Sequence, residues 1–315
     1  MAIVTAALAT GVSAMFAVTL LRRWWARGRS SSPLLIWGVA LVMFCVASLG
    51  LLTGVVGGWT SMEFRTFYLF GGVLNVPWLA LGSIAVNARS IATSRWTGGI
   101  LVVIGLVVAR QAVVAEEPAL WVPSAVLALL WGAVLLIGRE RTVIGGAALA
   151  LLVYSAAATW VVVSAPYVAT LPSDGLPEGA LLFAPFVRGF AVGGNSIGAI
   201  TVVVSALVSS AALVWRRPDR QADSQVLSDV RTGGYADAIA RWIFRGRTGQ
   251  GPALAHLVRG NLMIALGVAI AAAGGVLSFL GDTVGHAIGF TIGVTVMYTG
   301  FVRTTRPTIT STDDG

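Results

Sequence analysis

Few residues in this chain carry reactive side chains, and their placement restricts the chemistry. Its 315 residues include two histidines, one cysteine and no lysine. Asp282 and His286 are spaced i, i+4, so one helix face would bring them together to handle a proton or to offer two metal ligands. Asp282 also suits an N-cap. Two ligands do not close a metal site, and the other histidine, His256, falls on the opposite side of the membrane in the span assignment below. No metal centre is expected. Cys45 sits mid-helix, where a thiol behaves as a small apolar group, and alone it forms no internal disulfide. The absence of lysine excludes Schiff-base chemistry, including that of retinal and pyridoxal groups. No nucleophile with a base, metal cage or carboxylate pair stands out, so no catalytic residue or cofactor is assigned and the chain is read as non-enzymatic. The glycine-rich Gly246–Pro252 run lacks a lysine and a preceding strand, and reads as a linker rather than a phosphate loop.

Binding chemistry has better candidates. Arg110 near the end of one apolar span, Glu63 and Arg65 ahead of another, and Arg188 ahead of a third are all expected near the outer leaflet, with Glu116 and Glu117 in a nearby loop. Charges close to hydrocarbon must be paired or wetted. Here they either pair with one another or form an outward pocket whose arginines grip an anionic group. Asn75, two residues before Pro77, and Asn195, after Gly193-Gly194, mark two helix irregularities where freed backbone groups and amide side chains can line a ligand site. Gly281, Gly285, Gly289 and Gly293 recur every four residues, a ridge without side chains that admits a close helix neighbour. That neighbour is the preceding small-residue helix, a second copy, a partner protein or a flat lipid-like ligand.

The elements that hold these residues are membrane spans. The sequence is 57% hydrophobic and 11% charged, with a mean hydropathy of +0.85. A soluble domain carries about 25% charged residues. Apolar runs near 2–21, 34–57, 67–88, 97–114, 120–138, 142–164, 192–215, 260–280 and 284–302 have the length that spans hydrocarbon. All 21 basic residues are arginine, and all except Arg65, Arg110 and Arg188 fall in alternate loops. Basic loops stay cytoplasmic, so the pattern reads as nine helices, N-terminus out and C-terminus in. Arginines follow the first span rather than precede it, the reverse of a cleavable signal, so a retained helix is expected. The net charge of +8 is spread over short loops and does not indicate nucleic-acid binding. Trp24, Trp25, Trp59, Trp96 and Trp121 lie at span ends, as interface anchors do. The region 181–215 would reach roughly 52 Å as one helix, against roughly 30 Å of hydrocarbon, so a break at Gly193–Ser196 is expected.

The expected architecture is all-α: a seven-helix bundle over 1–215, a cytoplasmic linker over 216–259, a two-helix hairpin over 260–303 and a disordered tail over 304–315. Tyr235–Phe244 in the linker is amphipathic, suited to a membrane surface or to packing under the bundle. The seven-helix layout resembles that of bacterial seven-helix sensor regions, in layout alone, and transfers no residues. Together these features favour a receptor, regulator or assembly subunit in a bacterial inner membrane, contacting lipid and, through the hairpin, a second copy or a membrane partner. The alternative is a transporter or channel for a small anionic or lipid-like solute. Reporters fused after Arg29, Arg95, Arg141, Thr232 and Gly315 should read cytoplasmic, and those near Gly58, Glu117, Asp174 and Asp282 external. One reversal would overturn the span count.

Overall fold

The computed structural model describes residues 2–28, 32–88, 91–172, 177–215, 251–279 and 283–305. These residues are almost entirely helical and include no strand. In chain order the helices are α1 (Ala2–Ala26), α2 (Ser32–Gly57), α3 (Ser61–Phe67), a π-helical stretch (Tyr68–Leu74), α4 (Asn75–Asn87), α5 (Ile91–Val114), α6 (Pro118–Ile137), α7 (Glu140–Ser164), α8 (Gly179–Leu182), α9 (Pro185–Trp215), α10 (Gly251–Phe279) and α11 (Thr283–Thr305). α3, the π stretch and α4 run on as one span. Counting them together, 7 helices are long and apolar enough to cross a membrane by length and composition. α10 and α11 form a further hairpin, with shorter apolar cores at Val258–Gly274 and Ile288–Val302 among the described residues.

The third span and α9 form the centre. The third span has 67% of its apolar window buried, against at most 44% in any other span. It starts at Ser61, earlier than the apolar run suggested, because Thr60 and Glu63 form a capping box: the Thr60 N–H donates to Glu63 Oε2 at 2.8 Å and the Glu63 N–H to Thr60 Oγ1 at 3.4 Å. Reciprocal capping satisfies amides that would otherwise start the helix unpaired. Glu63 and Arg65 are therefore within this helix rather than ahead of it.

α9 likewise departs from expectation. It is continuous through Gly193–Ser196, and the break falls at Phe183–Ala184, between α8 and α9. The glycines serve close approach instead. A Cβ on Gly189 would come within 2.7 Å of the Ala119 carbonyl oxygen, and one on Gly193 within 2.9 Å of the Ser124 nitrogen. On the adjoining face, Gly194 abuts the Val73 carbonyl, and a Cβ on Gly198 would lie 2.8 Å from the Pro77 nitrogen. Pro123 and Pro77 supply no N–H to the carbonyls four residues back, Ala119 and Val73. Each of these carbonyls faces a glycine of α9.

The hairpin closes the side of the bundle formed by α1, α2 and α9. Phe16 stacks edge-on with Tyr298 at 4.7 Å, Phe44 meets Phe290 at 4.6 Å, and Asn261 Nδ2 donates to Ser209 Oγ at 3.2 Å. The glycine ridge of α11 faces α10: a Cβ on Gly289 would meet Gly274 Cα at 2.9 Å, and one on Gly293 the Gly267 oxygen at 2.6 Å. Gly281 and Asp282 lie outside the described residues, as do the amphipathic segment 235–244 and the rest of 216–250. α10 begins at Gly251, so its backbone includes part of the stretch expected to be linker.

Trp25 (63% exposed) and Trp96 (70% exposed) face outward at span ends, whereas Trp59 turns inward over Gly54, Phe64 and Phe67. Gly293→Leu should insert into the membrane normally and lose about 3 kcal/mol of stability from overpacking, measured as a lowered unfolding midpoint in nanodiscs. An unchanged midpoint would show that this contact with α10 is not close.

Candidate functional site

The residues expected to form one outer cluster are divided among four tasks. Glu63 caps its own helix. Arg65 reaches α7, donating from Nη1 to the Val162 carbonyl and from Nη2 to the Ala165 carbonyl at 2.7 Å. A cation at a helix C-terminus meets the orphan carbonyls there and complements the dipole. Its guanidinium also lies over the Tyr167 ring, 4.4 Å from the centroid, and 5.7 Å from the Phe183 centroid, which adds cation–π attraction. Arg110 is exposed on α5. Of the three arginines, Arg188 is the one that lines the cavity described next, and its Nη2 holds Glu117 Oε2 at 3.0 Å.

That cavity, about 340 Å³, lies between α1, α2, the third span, α9 and the hairpin. Its lining follows helical spacing. α9 contributes Arg188, Ala191, Val192, Asn195, Ser196 and Ala199, one face read at i, i+3, i+4. α2 presents Phe44, Ala47, Ser48 and Leu51 in the same rhythm, and the third span presents Phe64, Tyr68, Gly71, Gly72, Asn75 and Leu79. Small residues on facing stripes leave the space, and aromatic rings wall it. From Arg188 to Ala199 the α9 stripe extends roughly 16 Å along the helix axis.

Two asparagines define its polar interior. At the change from π to α register, Pro77 has no N–H to give the Gly72 carbonyl five residues back, just as it has none for Val73 four residues back. Asn195 Nδ2 fills the vacancy, donating to the Gly72 oxygen at 2.8 Å. Asn75, fully buried, accepts the Val76 N–H on Oδ1 at 2.7 Å. These bonds fix which way each amide points, because an N–H requires the oxygen and a carbonyl requires the nitrogen. Asn195 Oδ1, Asn75 Nδ2 and Arg188 Nε are left buried without a protein partner. An unpaired buried polar atom is costly, and all three belong to residues lining this one cavity.

Of the sequence candidates, the structure thus brings together Asn75, Asn195 and Arg188, and leaves Glu63, Arg65 and Arg110 elsewhere. His286 lies in α11 and its partner Asp282 outside the described residues. Among the described residues no group of three or more His, Cys, Asp or Glu could hold a metal ion. Sequence reasoning missed Gly71-Gly72, Ala47-Ser48 and the hairpin's Ala271 and Phe290, which also line the cavity. A signal was present: Gly71-Gly72 precedes Asn75 as Gly193-Gly194 precedes Asn195, a paired glycine with an asparagine on each central helix.

Compared with known proteins, the chain matches no family model, no curated protein and no solved structure.

Arg65→Gln should lower stability by about 2 kcal/mol, since two carbonyls lose a charged donor. Arg188→Gln should cost less than about 1 kcal/mol, because the Glu117 pair is half-exposed. Thermal unfolding of both variants checks the order, and a larger loss for Arg188→Gln would reverse these assignments.

Proposed function

We propose that this chain is a non-enzymatic membrane receptor or regulator that holds a small amphipathic molecule in the cavity between its central helices. One observation carries the reading: a cavity of about 340 Å³ with mostly apolar walls is lined by Asn75 and Asn195, each of which keeps a buried amide atom that no protein group satisfies. Its size falls within the roughly 300–1,000 Å³ of small-molecule sites, and mostly apolar walls with a few converging polar groups are their usual composition. A carrier is the second reading, favoured by the π stretch and Pro77 beside the cavity, because irregular helices line transport sites in membranes. Partner recruitment through the hairpin has less support, since Gly289 and Gly293 already pack against α10.

Photolabelling tests occupancy. A ten-carbon alcohol bearing a diazirine, irradiated with the full chain in nanodiscs, should mark peptides of α2, the third span and α9. Ala191→Phe, which fills the cavity from α9, should abolish that labelling while the protein stays folded. Labelling spread over lipid-facing residues and indifferent to Ala191→Phe would overturn the reading. Saturable movement of the probe into proteoliposomes would identify the carrier, and binding without movement the receptor.

A further inference from the structure

We infer that the molecule this cavity takes places an uncharged hydrogen-bonding group, an alcohol or a carboxamide, between Asn75 and Asn195. The inference rests on the occupancy proposed above and specifies the chemistry of the occupant.

The argument begins with which atoms remain available. Asn75 has committed its oxygen to the Val76 N–H, so it offers the cavity a donor, Nδ2. Asn195 has committed its nitrogen to the Gly72 carbonyl, so it offers an acceptor, Oδ1. The complement is a group that accepts from one side and donates to the other. Hydroxyls and carboxamides do both. A carboxylate only accepts and would face the Asn195 oxygen with like polarity, while an ammonium only donates and would face the Asn75 N–H₂.

Charge points the same way. The charged residues lining the cavity are Arg188 and Glu178. Arg188 is already paired with Glu117 at 3.0 Å. Asn195 lies seven residues further along α9, roughly 10 Å deeper, where the lining is amide, hydroxyl and hydrocarbon. An ion there would leave water without meeting a countercharge, which membrane interiors strongly disfavour. Arg188 Nε, buried and unpartnered, adds one donor towards the other end of the cavity, suited to a second neutral oxygen. The arrangement therefore selects against the anionic solute that the outer arginines suggested in the sequence.

Competition against the photoreactive alcohol decides the matter, using full-length protein in nanodiscs at pH 8. Decan-1-ol and decanamide should suppress cavity labelling at concentrations at least tenfold below those needed for decanoate or decylammonium. Suppression by water-soluble hexanamide as well would point to a ligand arriving from the aqueous phase, and suppression by decan-1-ol and decanamide without hexanamide to one dissolved in the membrane. Both outcomes keep the neutral group. Asn75→Leu should weaken competition by decanamide about tenfold, the order of one buried hydrogen bond. If that variant does not fold, Asn75→Asp keeps an acceptor for the Val76 N–H, and should lose the preference for decanamide and gain competition by decylammonium. Equal or stronger competition by decanoate in the parent protein would overturn the inference while leaving occupancy intact. Absence of any labelling sensitive to Ala191→Phe would instead remove the occupancy reading itself.

Discussion

The bundle depends on the approach of α9 to two helices whose hydrogen-bond ladders are interrupted by proline. Pro77 and Pro123 leave backbone carbonyls without their usual amides, and within a membrane no water stands ready to replace them. Glycines at 189, 193, 194 and 198 let the α9 backbone lie directly against these places. Two consecutive glycines present this lack of side chain to both neighbours at once, since successive helical positions are about a quarter-turn apart. In isolation four glycines weaken a helix. Here α9 stays helical for 31 residues, because its packing against α6 and the third span outweighs the propensity.

The same interruption produces the candidate site. A π-helical stretch shifts carbonyls off the regular ladder, and Asn195 crosses from α9 to meet the one at Gly72. An asparagine spent on this structural bond keeps one buried polar atom without a protein partner. Asn75 does the same from the other helix. Architecture and candidate site are thus linked through two amides, and part of the cavity's wall comes from the hairpin, whose Phe290 meets Phe44.

Charge is handled locally at the end of the bundle that the arginine pattern assigns to the outside. Arg65 completes α7, Glu63 starts the third span, and Arg188 joins Glu117. An aromatic cluster of Phe64, Tyr68, Tyr167 and Phe183, with ring centroids between 4.8 and 6.0 Å apart, packs beneath them. Arg65 and Arg188 each meet a partner suited to their position, and Arg110 is exposed on α5, so little free positive charge is left for an anion-binding pocket.

The amino-acid sequence by itself determined the all-α membrane class, because hydrocarbon thickness sets a length of apolar helix that is visible in any window of about 20 residues. It also marked Asn75, Asn195 and Arg188, since polar groups stand out against an apolar background. Tertiary structure decided which polar groups meet. Arg65 and Arg188 are alike in composition and in their closeness to a span end, yet one reaches carbonyls 97 and 100 residues away in the chain and the other a carboxylate 71 residues away. Likewise Gly193-Gly194 reads equally as a break or as a contact surface, and the difference lies in whether another backbone arrives to cover it. The cavity is the extreme case. It is space left by small residues on separate helices, so it exists only once those helices are placed side by side.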